Sequence, residues 1–206
     1  MSGPFWIALE GGEGSGKSTQ ASQLASALGA VLTREPGGTP LGHRLREVLL
    51  DPTSGEIDAR AEALMMAADR AAHVSGVVMP ALRAGRHVVS DRSVWSSLAY
   101  QGYGRRLDVD WLRTLSEWAM DGRWPDVAVL IDVPAPVAAG RLSSSGRALD
   151  RFEQEEDDFH QRVRSGFADL ADRWPQEWVV VDGDGSPETV EQRVFGAISG
   201  RLPGLR

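Results

Sequence analysis

The chain has 206 residues, 42% of them hydrophobic, which is enough for a single globular domain over residues 1–206 and excludes a disordered chain. It contains no cysteine, which excludes disulfides and thiolate metal sites and favours a reducing, cytoplasmic location. A formal net charge of −7 argues against nucleic-acid partners, and apolar runs too short to cross a bilayer argue against a membrane partner.

Short apolar segments alternate with helical patterns along the chain. Strands are predicted at residues 5–9, 31–32, 87–90, 127–133 and 178–181. Helices are predicted at residues 18–28, 41–49 and 59–82, and along an apolar face made by Phe152, Phe159, Val163, Phe167, Leu170 and Trp174. This alternation predicts an α/β fold in which a parallel five-stranded sheet carries helices on both faces, giving three layers. Serines and glycine near residues 142–151 predict a short mobile surface loop.

Two compositional features narrow the class of function. Of the 22 basic residues, Lys17 is the only lysine, so position 17 requires an ammonium group where arginine serves elsewhere. The chain also contains no asparagine, so it lacks the Asn-Lys-x-Asp signature by which many GTPases select guanine. A GTPase switch is therefore disfavoured.

A glycine-rich loop provides the strongest motif. Residues 11–18 read Gly-Gly-Glu-Gly-Ser-Gly-Lys-Ser, which matches the phosphate-binding pattern G-x-x-x-x-G-K-[ST] between a predicted strand and a predicted helix. We expect a nucleoside triphosphate to bind at Gly11, Gly12, Glu13, Gly14, Ser15, Gly16, Lys17, Ser18 and Thr19. Lys17 is expected to contact the β- and γ-phosphates, and the Ser18 hydroxyl to bind Mg²⁺.

Three motifs in order resemble the thymidylate kinase family. They are residues 10–19, residues 33–39 with Thr-Arg-Glu-Pro-Gly-Gly-Thr, and residues 91–102, which begin Asp-Arg-Ser and end Tyr-Gln-Gly. The similarity continues through residues 149–153 to the final strand. The resemblance implies a P-loop kinase fold with a short lid, transfer of the γ-phosphoryl group of ATP to dTMP, and a homodimer.

The same resemblance implies an acceptor site. Several arginines outside the P-loop suit a kinase that must bring two highly charged phosphates together. The implied substrate-binding residues are Arg34, Arg46, Met66, Arg70, Arg92, Ser96, Ser97, Tyr100 and Gln101. Arg46 and Arg92 resemble the pair that grips the acceptor phosphate, Arg70 resembles the base-contacting arginine, and Tyr100 resembles the tyrosine that favours deoxyribose. Met66 stands where the family usually has phenylalanine, which predicts weaker stacking on thymine.

Catalytic roles are implied for residues on both sides of the transferred phosphoryl group: Glu13, Lys17, Arg92, Arg147 and Arg151. Glu13 resembles an acidic residue that approaches the 3′-hydroxyl of the acceptor sugar, and Arg147 and Arg151 are expected to be mobile lid cations. Asp91 follows a predicted strand at the edge where α/β sheets bind ligands. It is expected either to orient Mg²⁺ through water or to hold Arg92 or Ser18 in place.

Two alternatives stay open at this point. The first is a kinase of the same architecture for another deoxynucleoside monophosphate. The second is a P-loop ATPase that switches a partner protein and needs no acceptor. The motif containing Arg92 and Tyr100 argues against the second alternative, because a switch does not require an acceptor pocket.

Overall fold

The structure is a computed structural model that describes residues 3–144, 146 and 148–205. One sheet contains five strands in the order β2-β3-β1-β4-β5, and every neighbouring pair is parallel. The strands are β1 (Trp6–Glu10), β2 (Val31–Arg34), β3 (Val88–Asp91), β4 (Val127–Asp132) and β5 (Trp178–Asp182). The predicted parallel five-stranded α/β fold is confirmed.

Helices connect the strands within the described residues. They are α1 (Lys17–Leu28), α2 (Pro40–Leu50), α3 (Ala59–His73), α4 (Met79–Arg83), α5 (Val94–Ser97), α6 (Val109–Ala119), α7 (Ala135–Ser144), α8 (Asp157–Arg173) and α9 (Pro187–Arg201). A 3₁₀ turn (Pro52–Ser54) and two π-helical segments (Val74–Val78 and Leu98–Gly104) complete the helical structure. None of these helices is both long enough and apolar enough to cross a membrane.

The strands separate two hydrophobic cores. Side chains alternate between the faces of a strand, so Trp6 belongs to one core while Ile7 and Leu9 belong to the other. The first core packs against α8 and neighbouring helices through Phe167, and the second packs against α1 and α9 through residues such as Ile198. This arrangement is the predicted three-layer structure.

The predicted helix at 59–82 is present but is not uniform. It comprises α3, the π-helical segment Val74–Val78 and α4 in direct succession. The Met79 N–H donates to the Val74 carbonyl five residues earlier, which is the π spacing. Pro80 follows directly and has no N–H to donate, so the regular hydrogen-bond pattern cannot continue through it.

Two predicted boundaries were wrong. Phe152 does not lie on the aromatic helix, because α8 begins only at Asp157; it is nevertheless buried in the first core from the preceding turn. Residues 142–144 do not belong to a loop, because α7 continues to Ser144. Burial of an aromatic ring and helical spacing are separate properties, and the sequence pattern alone does not distinguish them.

Trp95 anchors the segment that follows β3. Its ring is 1% exposed and lies 5.0 to 5.7 Å, between ring centroids, from Trp124, Trp174 and Trp178. Aromatic clusters of this kind bury large areas in defined relative orientations. The residues on either side of Trp95, at the carboxyl edge of the sheet, are therefore held in fixed positions.

Candidate active site

A cavity of about 770 Å³ opens at the carboxyl edge of the sheet. It is bounded on one side by the glycine-rich loop and on the other by α2, α3 and the segment after β3. Predicted site residues that line it are Glu13, Lys17, Ser18, Arg34, Arg46, Met66, Arg70, Asp91, Arg92, Ser96, Ser97, Tyr100 and Gln101. The structure thus brings the two groups of predicted residues into one space.

The glycine-rich loop connects the end of β1 to the start of α1, as its motif predicts. Gly14 has φ +73°, and a Cβ there would lie 2.4 Å from the Ala138 carbonyl oxygen, so only glycine fits against α7. Gly16, also at positive φ, precedes the first residue of α1. The loop therefore directs the amino end of a twelve-residue helix toward the cavity, which favours anion binding.

Lys17 lies at this helix terminus and is almost fully buried. Its Nζ donates to the Gly12 carbonyl at 3.2 Å and lies 3.7 Å from Glu13 Oε2. Burial, assisted by the nearby Arg92 charge, lowers the pKa of Lys17, while Glu13 and Asp91 act in the opposite direction. An anionic phosphate beside Nζ would further favour the charged form.

Arg92 connects the glycine-rich loop to the acceptor side of the cavity. Its backbone has φ 72°, a strained conformation for a non-glycine residue. The guanidinium donates to the Gly11 carbonyl at 3.0 Å, to Ser96 Oγ at 2.9 Å and to the Tyr100 hydroxyl at 3.0 Å, and it pairs with Glu13. Burial opposes its charge, but attraction from Glu13, together with smaller contributions from Tyr100, Asp91 and Glu10, outweighs burial and raises the pKa of Arg92.

Three arginines gather on the acceptor side. Arg34, Arg46 and Arg92 all line the cavity, and Arg46 donates to the Pro36 carbonyl at 3.0 Å. Burial lowers the pKa of Arg46, and repulsion from the Arg34 and Arg92 charges lowers it further. Like charges placed this close together are stabilised when an anion binds among them.

The wall opposite the glycine-rich loop contains a buried charged network. Arg70 is 2% exposed and donates to Glu35 at 3.0 Å, to Ser97 at 2.8 Å and to Ser116 at 3.4 Å. Glu35 also bonds to His73 at 2.7 Å. Burial works against the Glu35 charge, yet Arg70 and His73 hold the pKa of Glu35 below its ordinary value. Arg70 is therefore fixed, with one face on the cavity.

Two neutral side chains complete this wall. Met66 is partly buried and packs against the core while lining the cavity. Gln101 is fully buried, and its Nε2 donates to Glu62 at 2.8 Å. Its Oε1 is buried and has no hydrogen-bond partner among the described residues. An acceptor atom thus remains available for a ligand.

The two residues expected to bind magnesium line the same cavity. Ser18 and Asp91 both line the cavity, and Asp91 Oδ1 is a buried oxygen that has no hydrogen-bond partner in the described part of the chain. A hard oxygen ligand of this kind fits Mg²⁺. No group of three or more His, Cys, Asp or Glu side chains among those residues could hold a metal, so phosphate oxygens and water would have to supply most ligands.

Of the two predicted lid arginines, Arg151 is described by the structure, and it does not line the cavity. Arg151 donates to Glu62 at 2.5 Å and to the Leu49 carbonyl at 2.8 Å, and its guanidinium lies over the Phe152 ring. It is thus tied to the back of the acceptor wall and does not point toward the glycine-rich loop. Arg147 lies outside the described residues. Catalytic roles for both residues remain predictions.

Several residues that support the site were missed by the sequence analysis. Arg141 on α7 donates to the Ser15 carbonyl at 3.1 Å and to the Gly183 carbonyl at 3.0 Å, bracing the glycine-rich loop. Glu10 accepts from Ser93 and Ser96, each at 2.6 Å. Burial raises the pKa of Glu10 to about 7, although these two hydrogen bonds act to lower it. The sequence signal that could have identified Glu10 is a glutamate at the end of an apolar strand.

Comparison with known proteins places this geometry in a family. A family model described as Thymidylate kinase matches residues 9–194. The chain belongs to the thymidylate kinase family. Proteins named thymidylate kinase are similar over nearly their whole length: one from Halothermothrix orenii is 43% identical over 96% of this chain and 98% of its own. One from Leifsonia xyli subsp. xyli is 46% identical, with 96% of each chain covered.

A thymidylate kinase of Synechococcus sp. is 47% identical over 97% of this chain and 96% of its own. Membership of the thymidylate kinase family confirms the predicted family and the predicted enzyme class, a nucleoside-monophosphate kinase. It accounts for a cavity in which a glycine-rich loop faces an arginine cluster. It also removes the support for a switch ATPase that has no acceptor.

Proposed function

We propose that this chain transfers the γ-phosphoryl group of Mg-ATP to dTMP, giving dTDP and ADP, a step that supplies dTTP synthesis. The observation that carries the proposal is the single cavity that holds both Lys17 of the glycine-rich loop and the cluster of Arg34, Arg46 and Arg92. A donor and an acceptor phosphate bound at these two places would lie side by side. Such juxtaposition supplies much of the catalysis in phosphoryl transfer.

The proposed donor site consists of Gly11 to Thr19. Its backbone N–H groups would hold the ATP phosphates, while the Lys17 ammonium would neutralise charge on the transferred group. Mg²⁺ would be held by Ser18 and, through water, by Asp91. It would supply charge neutralisation at the phosphate oxygens.

The proposed phosphate-binding part of the acceptor site uses Arg46 and Arg92, with Arg34 beside them. Arg92 is already tied to Glu13 and Tyr100 before any ligand binds. The Tyr100 hydroxyl donates to Glu13 at 2.8 Å, and a sugar bound next to Glu13 would lie close to this ring. This placement supports roles for Glu13 near the 3′-hydroxyl and for Tyr100 in favouring deoxyribose.

The base would bind against the wall made by Met66, Arg70, Ser97 and Gln101. Arg70 offers only donors and would face a carbonyl oxygen, while Gln101 Oε1 would accept from a ring N–H. Thymine presents that pattern. Arg147 and Arg151 would approach the phosphates only if the segment after α7 rearranges on ATP binding.

An assay of ADP release tests the proposal. ADP release with ATP and Mg²⁺ should depend on an added monophosphate and should be greatest with dTMP among dTMP, dUMP, dCMP, dAMP and dGMP. Equal ADP release with and without a monophosphate would contradict a kinase. Greater release with another monophosphate would instead favour a kinase for that acceptor.

We also propose a homodimer in the cytoplasm. An apolar face on α6 supports self-association, since Trp118 is 81% exposed and Trp111, two turns earlier on the same face, is 48% exposed. Light scattering after size exclusion should give twice the chain mass. Trp118→Glu should shift the protein toward the monomer, and a wild-type monomer would contradict the dimer.

A further inference from the structure

Glu62 on α3 is a fully buried carboxylate behind the base wall of the cavity. It accepts from Gln101 Nε2 at 2.8 Å, from Arg105 at 3.2 and 3.3 Å, and from Arg151 at 2.5 Å. These bonds join three parts of the chain that are far apart in sequence. Only Gln101, among these three donors, lines the cavity.

The chemistry of Glu62 decides the orientation of the Gln101 amide. A carboxylate is an acceptor only, so the donor end of the amide must face it. The acceptor end, Oε1, is therefore turned the other way, where it is buried and unpartnered among the described residues. Rotating the amide by half a turn would break a hydrogen bond and would place two oxygen acceptors against each other.

The carboxylate itself cannot easily change its arrangement. Arg105 lies over the Phe159 ring at 4.7 Å and is also paired with Glu155 at 2.5 Å, while Arg151 is held by the Leu49 carbonyl. Each cation thus has a second attachment besides Glu62. Glu62 is fixed from two sides, and the amide orientation that it imposes is fixed with it.

We propose that Glu62 is a positioning residue that sets base specificity by fixing the polarity of the Gln101 amide. With Oε1 unpartnered in a wall that also contains the donor-only Arg70, the wall complements a ring N–H flanked by a carbonyl, as in thymine or uracil. Cytosine presents a bare ring nitrogen and an amino group, which is the opposite pattern. The inference rests on the proposed function, because it assumes that a pyrimidine nucleotide binds against this wall.

Glu62→Gln tests the proposal with almost no change in side-chain volume. The new amide can donate as well as accept, so Gln101 can rotate and present Nε2 to the ligand. We expect the ratio of kcat/KM for dTMP to kcat/KM for dCMP to fall by about tenfold or more, since unmatched buried polar groups dominate such discrimination. Most of the change should lie in the KM values, because Arg46 and Arg92, which would bind the acceptor phosphate, are bonded to groups other than Glu62.

Two control variants separate positioning from structural support. Glu62→Asp keeps an acceptor-only side chain, and Arg105→Gln removes a partner of Glu62 without touching Gln101. Both should lower the melting temperature, yet both should keep the wild-type ratio of dTMP to dCMP. If this ratio falls as far in Arg105→Gln as in Glu62→Gln, the cause is a general loss of packing around Glu62 and not the orientation of the Gln101 amide. That result would overturn the proposal.

The outcomes distinguish this inference from the proposed function. Wild-type protein without dTMP-dependent turnover would contradict the proposed function. Normal wild-type turnover together with an unchanged ratio in folded Glu62→Gln would overturn the role of Glu62 and leave the proposed function intact.

If Glu62→Gln does not fold, NMR of wild-type protein provides the test through the side-chain amide protons of Gln101. Their signals are identified as those that disappear in the Gln101→Met spectrum. The proposal expects slow exchange with solvent, both free and with dTMP bound. Exchange as fast as that of exposed glutamines would overturn it.

Discussion

The two ends of the active-site cavity are built in different ways. At the end proposed to bind the ATP phosphates, called the phosphate-binding end below, the proposed groups come from nine consecutive residues, 11–19, and most are backbone amides. At the acceptor end, the charged groups are bonded to partners distant in sequence: Arg70 to Glu35 and to Ser97, which are 35 and 27 residues away, and Arg92 to Gly11, 81 residues away. One end is local in sequence and the other depends on the whole fold.

This difference predicts different responses to mutation. The glycine-rich loop depends on backbone geometry and one ammonium group, so a side-chain change there should affect turnover more than stability. The acceptor end contains charges that stabilise one another before substrate binds. Removing one member leaves its partner buried and unpaired, which should affect stability and binding together.

The largest expected effect is on the acceptor network. Glu35→Ala leaves Arg70 and His73 without their carboxylate in a buried site. The free energy of unfolding in urea should fall by about 3–5 kcal/mol. Glu47→Ala is a matched control, because Glu47 is exposed and forms a surface pair with His43 at 3.8 Å. This substitution should change the free energy of unfolding by less than about 1 kcal/mol. Equal effects would contradict the stabilising role of the buried Glu35 network.

The next effect concerns the phosphate-binding end. Lys17→Arg should lower kcat by about a hundredfold or more, because a planar guanidinium cannot replace a compact ammonium inside the loop. The melting temperature and the affinity for dTMP, measured by calorimetry, should stay close to wild type. Turnover near the wild-type rate would contradict the phosphate-binding role of this loop.

Glu10 lies where the two ends meet, and it should make stability depend on pH. The unfolded chain loses the Glu10 proton near pH 4.5, whereas the folded chain keeps it until about pH 7. The contribution of Glu10 to the free energy of unfolding therefore falls by about 3 kcal/mol as pH rises from about 4.5 to about 7. It does not change further at higher pH.

Glu10→Gln removes this titration. The difference in unfolding free energy, variant minus wild type, should rise by about 3 kcal/mol between pH 4.5 and pH 8. Chemical denaturation at four or five pH values would measure it. A difference that stays constant with pH would show that Glu10 titrates at its ordinary value in the folded protein.

The smallest expected effect concerns a neutral residue of the acceptor end. Met66→Phe should lower the KM for dTMP several-fold, about 1 kcal/mol, with little change in kcat, because an aromatic ring stacks on a base better than a thioether does. Met65→Phe, one residue away on the same helix, should leave KM unchanged. If KM does not change in folded Met66→Phe, its side chain does not face the base.

Much of the architecture followed from local pattern. Short apolar runs located all five strands within a residue or two at each end, since the strands of parallel sheets are rich in consecutive apolar residues. The glycine-rich loop followed from its own residues. The position of Phe152 did not follow, because its burial comes from tertiary packing and not from helical spacing.

The sequence by itself determined the parallel α/β fold, the glycine-rich loop and the set of arginines that line the cavity. Only the tertiary structure decided which buried polar groups are partners: Glu35 with Arg70, Glu62 with Gln101, and Glu62 also with Arg151. The reason is physical. Backbone conformation responds mainly to neighbouring residues, whereas an ion pair forms wherever the folded chain brings two buried charges together, at any separation in sequence.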